Sequence, residues 1–381
     1  MKFDTKAVHS GEAQQRILGS VNVPIFQSST YESKLGEDYF GIKYLRLSNS
    51  PNHELLHQKI ADLEGSESAL VTASGMAAIS SALFSFLHSG DHLMAQNVLY
   101  GGTHDLIKEE MVELGIEHTL VDGRDPSSWE KSLQKNTKVF YLESLSNPLI
   151  QVSDLEAALK FSKKHNLITM VDNTFATPMN FRPCEFGFDL SLHSASKSMN
   201  GHSDIIAGAV AGSKAHIKKI RRRMVHFGGS LDPHSCFLLN RGMKTWGLRL
   251  RAQTENAHKL AQFLDEHPKV KKVHYPGLKN HPDHKRAKSL FKDFGGMLSF
   301  ELNTDDAGIT KFISSLKYPF YAPSLGGCES LITRPARTSH LRLSKKEKQE
   351  TGITEALIRF SLGIEDAEDL IQDLGQALDR V

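Results

Sequence analysis

Between about residue 53 and 245, short apolar runs alternate with stretches of helical periodicity. Ala69-Leu70-Val71 reads as a strand running into Ser74-Gly75, after which Met76, Ile79, Leu83, Phe84 and Leu87 recur close to helical spacing. Further strands are predicted at His92-Leu93-Met94-Ala95, Val139-Phe140-Tyr141-Leu142, Leu167 to Val171, Leu190-Ser191-Leu192 and Ile205 to Val210. Ser153-Asp154-Leu155-Glu156 has the form of a capping box that opens a helix. Strands spaced by helices predict a largely parallel sheet covered on both faces. Ligands of such sheets bind at the carboxyl ends of the strands.

The pattern changes on either side of this region. From about 246, Ala257, Leu260, Ala261 and Leu264 line one helical face that stops at His267-Pro268. Strand-like runs follow at Val270 to Tyr275, Met297 to Leu302 and Leu357 to Ser361, which predicts a smaller α+β domain. Residues 1–52 carry weak periodicity, turn-formers and scattered aromatics: Pro24, Phe26, Tyr31, Tyr39, Phe40 and Tyr44. Such a stretch reads as an arm that packs on something else, a second subunit included. The expected partition is therefore an arm (1–52), a large α/β domain (53–245) and a C-terminal α+β domain (246–381). The basic residues of 333–350 (Arg334, Arg337, Arg342, Lys345, Lys346, Lys348) read as a solvated loop and helix face, not a nucleic-acid patch.

Composition narrows the class without naming a chemistry. The 381 residues are 39% hydrophobic and 24% charged, an ordinary globular mix, with a net charge of +2 that gives no general case for nucleic-acid or membrane binding. No run of about 18 apolar residues is present, so no membrane span is expected. The three cysteines, Cys184, Cys236 and Cys328, are far apart and odd in number, which suits free thiols in a reducing compartment. With no apolar signal core at the N-terminus, the cytoplasm is the expected location.

The candidate chemistry sits at the predicted strand ends. Lys197 lies in the hydroxyl-rich run His193-Ser194-Ala195-Ser196-Lys197-Ser198, just before Gly201. Hydroxyls beside one amine suit a phosphate held next to a Schiff-base lysine, and hence pyridoxal 5'-phosphate (PLP). Ser74-Gly75-Met76 at a strand-to-helix turn offers backbone N–H groups to a phosphate. Asp172 ends an apolar strand and supplies the carboxylate that would keep the cofactor's ring nitrogen protonated. Tyr100, in Tyr100-Gly101-Gly102-Thr103, is the candidate for a stacking ring whose hydroxyl exchanges protons.

Together these segments resemble the Cys/Met-metabolism PLP enzymes, the transsulfuration family. Ser146-Asn147-Pro148, Val171 to Phe175, Gly201-His202-Ser203-Asp204, Arg241 to Thr245, Ser324 to Leu331 and Ile358 to Gly363 also match in order, so the likeness covers nearly the whole chain. It implies fold type I, with a mostly parallel seven-stranded sheet, and a homotetramer built as a dimer of dimers. It also implies roles. Lys197 would be the Schiff-base lysine and proton shuttle, Asp172 the pyridinium partner and Tyr100 the stacking residue. Gly75, Met76, Ser194 and Ser196 would hold the phosphate, with Tyr44 and Arg46 reaching the phosphate of a neighbouring subunit. Arg359 would bind the substrate α-carboxylate, with Asn147 and Ser324 nearby. The implied reaction is γ-elimination or γ-replacement on cystathionine or an O-activated homoserine. The alternatives are β-elimination of cystathionine, sulfhydrylation of O-acetylhomoserine, and a non-catalytic binding protein that kept the fold.

Departures from the family pattern bear on substrate choice. Lys43 stands where cystathionine-handling members often carry an acid, which weakens the case for that substrate, whereas Glu329 strengthens it. Leu145, Ser198, Asn97, Arg334 and Arg337 also depart, and Gly102 argues against methionine γ-lyase activity. His53-Glu54-Leu55-Leu56-His57 is a literal HExxH. No third ligand is obvious nearby, and the segment leads into Leu63-Glu64-Gly65, so no metal is expected. The histidine-rich stretches 226–234 and 274–284 lack ligand spacing and read as surface or loop.

Overall fold

The computed structural model describes residues 1–12, 16–36 and 41–381. Tyr39 and Phe40 of the predicted arm lie outside the described residues. Seven strands form one sheet: β1 (Ser68–Thr72), β2 (His92–Gln96), β3 (Glu117–Val121), β4 (Thr137–Glu143), β5 (Ile168–Asp172), β6 (Leu190–Ser194) and β7 (Gly208–Gly212). Their order is β1-β7-β6-β5-β4-β2-β3. The β3-β2, β2-β4, β4-β5 and β5-β6 pairs are parallel, and β7 runs antiparallel to both its neighbours. The expectation of a mostly parallel seven-stranded sheet thus holds.

Alternation along the strands explains why both faces are covered. Val139 and Tyr141 join one core with Leu70, Leu93 and Leu192 and with Ala78, Ile79 and Leu83 of the helix Gly75–Phe86. Phe140 and Leu142 point the other way, into a core with Trp129, Leu155, Phe161 and Val171. With the central strands sandwiched, their runs are apolar at successive positions, the pattern of a parallel sheet. A second sheet follows in the order β10-β11-β12-β9-β8: β8 (Val270–His274), β9 (Met297–Leu302), β10 (Phe320–Tyr321), β11 (Leu331–Thr333) and β12 (Leu357–Ser361). The long helix Trp246–Glu266 and the helix Ala367–Leu378 supply Leu260, Leu264, Leu370 and Leu374 to its core.

Several local expectations need correction. The strand expected at Ile205 to Val210 begins at Gly208. Ser153 does not cap the helix Leu155–His165: Asp154 does, accepting from the Ala157 N–H, while the Ser153 hydroxyl donates to Gln96 and to the Glu143 carbonyl. Residues 3–9 of the arm form a helix against this chain's own helix Pro51–Glu64, where the buried Lys59 ammonium donates to the carbonyls of Ala7 and Val8. Histidines 274 and 281, read as surface, are buried, and His274 pairs with Glu301. Arg334 of the basic stretch is buried and pairs with Asp306.

The HExxH segment is a structural helix. Ser50 caps it, Pro51 starts it and Gly65, at φ +68°, ends it. Both His53 ring nitrogens are engaged, one with Ser50 Oγ at 2.8 Å and one with the Leu231 carbonyl at 2.7 Å. Burial pushes His53 down to about 4, so the ring stays neutral there as a packed, hydrogen-bonded side chain. Among the described residues no cluster of three or more His, Cys, Asp or Glu side chains is arranged to hold a metal, and no helix is long and apolar enough to cross a membrane. The three cysteines are unpaired.

Candidate active site

Four adjacent parallel strands deliver several candidate residues to one sheet edge. Tyr100 follows β2, Glu143 ends β4 with Asn147 just beyond it, Asp172 ends β5, and Ser194 ends β6 with Lys197 in the following turn. Chain order reverses direction in the sheet between β2 and β4, where open α/β sheets form a crevice.

At the phosphate end, Ser74 caps the helix Gly75–Phe86 by accepting from the Ala77 N–H at 3.0 Å. The first N–H groups of a helix have no partner inside it, so Gly75 and Met76 present theirs outward. A Cβ on Gly75 would lie 2.9 Å from Ser194 Cβ and 3.1 Å from its Oγ. Only glycine therefore lets the Ser194 hydroxyl sit against the helix start. A Cβ on Gly102 would lie 2.8 Å from the Tyr100 ring and 3.2 Å from Met76 Sδ, so these three residues converge as well. Ser196 is placed differently. Its hydroxyl donates to the Ala207 carbonyl and accepts from the Ala207 N–H, which ties the lysine turn to the segment entering β7.

Asp172 accepts from the Thr174 N–H at 3.0 Å, and the Thr174 hydroxyl accepts from the Ser194 N–H at 2.9 Å. Burial raises the Asp172 carboxyl above its ordinary value, against the Thr174 hydrogen bonds and the nearby His193, which favour the charged form. Burial and the neighbouring Asp172 and Glu143 carboxylates hold the Tyr141 phenol well above its usual range. A cation placed against Asp172 would relieve this cost.

Lys197 Nζ donates to Ser324 Oγ at 2.7 Å. Burial, then the Arg359 charge, brings the lysine down to about 8. Arg359 is buried, donating through Nη1 to Asn147 Oδ1 at 3.0 Å and through Nη2 to the Ser324 carbonyl at 2.7 Å. Its buried Nε has no hydrogen-bond partner among the described residues. Ser324 holds φ +101°, a conformation L residues rarely adopt, and the loop can press onto the lysine because Gly326 (φ +75°) follows. A Cβ on Gly326 would meet the Ser198 nitrogen at 2.5 Å.

Two predicted groups lie apart from these contacts. Arg46 stacks over the Tyr44 ring at 5.4 Å, and their segment is anchored by Arg221 and Ser230, which donate to the carbonyls of Leu47 and Leu45. Glu329 is exposed beside Gly327, while Lys43 is paired with Glu54 at 2.9 Å. The residues missed from sequence are Thr174 and Glu143. Glu143 had a readable sign, since it ends the apolar run Val139 to Leu142 as Asp172 ends its own.

A cleft of about 460 Å³ lies elsewhere, lined by Asn180, Arg251, Glu255, His258, Lys259 and Asp293 among others. Its charges are already paired, Lys259 with Glu255 and His258 with Asp293, and Arg251 with Asp4. The reactive groups therefore identify the site better than cavity size does.

The residues at the sheet edge fit PLP. A helix start and a serine hydroxyl can take a phosphate, a buried carboxylate can take a protonated ring nitrogen, and a lysine near neutrality can take an aldehyde. Tyr100 is 42% exposed, which leaves a face for a flat ring. Comparison with known proteins agrees. Residues 4–379 match the profile of the Cys/Met metabolism PLP-dependent enzymes. The chain is 41% identical to cystathionine gamma-lyase of Bacillus subtilis (100% of both chains) and 41% identical to cystathionine beta-lyase of Lactococcus lactis (99% of this chain, 98% of the other). The crystal structure of cystathionine gamma-lyase from Lactobacillus plantarum complexed with L-serine superposes with a TM-score of 0.95 at 37% identity, over 100% of this chain and 99% of that one. With the profile spanning nearly its whole length, the chain belongs to the Cys/Met metabolism family of PLP-dependent enzymes.

Proposed function

We propose that this enzyme removes or replaces the γ-substituent of cystathionine or of an O-activated homoserine. One observation carries the reading: Ser324 links Lys197 to Arg359, so a proton-transferring amine sits next to a carboxylate-binding guanidinium. When bound, PLP supplies an electron sink for negative charge at the substrate Cα. Arg359, turned inward by Asn147, grips the α-carboxylate and uses the Nε donor that has no partner among the described residues. Lys197, brought to about 8, takes the proton from Cα and moves protons at Cβ so that the γ-substituent can leave. Tyr100 stacks on the cofactor ring and assists proton movement. Asp172 holds the ring nitrogen protonated, and Gly75, Met76 and Ser194 hold the phosphate.

Glu329, exposed at the loop beside the site, supports a substrate with a distal ammonium, as cystathionine has. The exposed apolar side chains Leu18, Val21 and Leu35 of the arm support burial in a homotetramer, with Tyr44 and Arg46 reaching a neighbour's phosphate. The unpaired cysteines support a cytoplasmic setting. The second reading is β-elimination, favoured by the equal identity to the Lactococcus lactis beta-lyase. A keto-acid assay separates the two. α-Ketobutyrate with cysteine is the γ outcome, and pyruvate with homocysteine alone would replace it with the β reading. O-acetyl-, O-succinyl- and O-phosphohomoserine, tested with and without thiol, then identify the leaving group.

A further inference from the structure

We infer that Glu143 is a positioning residue that sets the spacing between Tyr100 and Asn147, and so between the stacking ring and the carboxylate-binding end of the site. The inference rests on the reading above. Glu143 ends β4 directly beside Asp172 in the sheet register and is 4% exposed. Its Oε1 accepts the Tyr100 N–H at 2.6 Å and its Oε2 accepts the Asn147 N–H at 3.2 Å. One carboxylate thus ties together two loops from different strands. The tie continues outward, because Asn147 Oδ1 holds Arg359, and Arg359 holds the Ser324 carbonyl whose hydroxyl meets Lys197.

The anchor is itself fixed. The Glu143 N–H donates to Gln96 Oε1 at 2.8 Å, and the same Gln96 oxygen accepts from Ser153. No cation pairs with Glu143 among the described residues, so its two oxygens serve the two N–H groups. Burying an acid beside another acid is costly. A glutamate here is therefore explained by its geometry, since only a carboxylate offers two equivalent acceptors on a side chain of this length.

The substitution Glu143→Gln keeps the shape but turns one acceptor into a donor. The 2.6 Å bond to Tyr100 persists and the longer bond to Asn147 is lost. Steady-state kinetics of the PLP-loaded Glu143→Gln enzyme should show KM raised by about three- to tenfold, the scale of one hydrogen bond, with kcat within about twofold. Glu143→Ala loses both ties and should also lower kcat and change the visible circular dichroism of the bound cofactor, because Tyr100 is released. A lowered melting temperature with KM, kcat and dichroism unchanged in both variants would mean the role is only structural and would overturn the inference. So would a fall in kcat without a rise in KM in Glu143→Gln. Should neither variant fold, hydrogen exchange of the wild-type holoenzyme decides. The Tyr100 and Asn147 amides should be protected, and exchange as fast as the exposed amides of the arm would refute the clamp. Failure of the functional reading looks different, with the wild-type enzyme binding no PLP or forming no keto acid.

Discussion

Lys197 donates to the hydroxyl of Ser324 at 2.7 Å across 127 residues of chain. Burial first, and then the nearby Arg359 charge, set the state of the amine. An ordinary lysine keeps its proton up to 10.5, while this one loses it at about 8. An amine must be neutral to attack an aldehyde.

PLP loading of the cofactor-free protein should therefore speed up with pH through about 8 and level off above it. Stopped-flow absorbance at fixed cofactor concentration follows this. The stability linkage has a definite sign. Between about 8 and 10.5 the unfolded lysine holds a proton that the folded one has lost, so this group's contribution to the stability of the cofactor-free protein rises with pH in that window. Ser324→Ala removes the acceptor that favours the ammonium, and the loading midpoint should move further down.

Lys197→Ala should abolish both turnover and the absorbance of the covalently held cofactor, while PLP still binds weakly through its phosphate contacts. Spectra and a keto-acid assay on one preparation check this. A fully active variant would defeat the assignment.

Asp172→Asn removes the carboxylate proposed to face the ring nitrogen. Loss of a buried charge partner costs about 3 kcal/mol, so cofactor affinity should fall about 100-fold by equilibrium dialysis. Turnover at saturating PLP should fall as well, because the neutral amide does not hold the ring nitrogen protonated.

Arg359→Ala should raise KM by about 10²-fold through loss of the carboxylate grip. It also strands Asn147 Oδ1 and the Ser324 carbonyl, so a modest drop in thermal stability should accompany it. Arg359→Lys should recover only part of the KM, since an ammonium cannot make the two-pronged contact.

Trp129 tests the core independently of the chemistry. It is fully buried, edge-on to Phe140 at 5.2 Å and Phe161 at 5.7 Å. Trp129→Ala should cost about 3–5 kcal/mol in denaturant midpoint measurements.

The strands that read clearly in the sequence are those whose apolar runs are long and buried on both sides, such as β4 and β5. β3 was missed because its first four residues, Glu117-His118-Thr119-Leu120, are only partly buried or exposed at the sheet's edge. β10 and β11 were missed because two and three residues carry no period. The helix Phe3–His9 escaped notice because much of its stability comes from packing on helices far along the chain, not from its own pattern. Among site residues, Lys197, Asp172 and Tyr100 stood out because each pairs an unusual residue type with a strand end. Glu143 carries the same sign, at the end of the apolar run Val139 to Leu142.

The chain's local pattern was enough to establish the alternating elements, the chemical groups at their ends and, through matching segments, the family. Only the folded molecule decided that Glu143 lies beside Asp172, that Ser196 is turned to Ala207, and that Ser324 bridges the amine and the guanidinium. Periodicity reports how a residue sits on its own element. Which distant residue it touches depends on strand order and loop closure, and those emerge only when the whole chain packs.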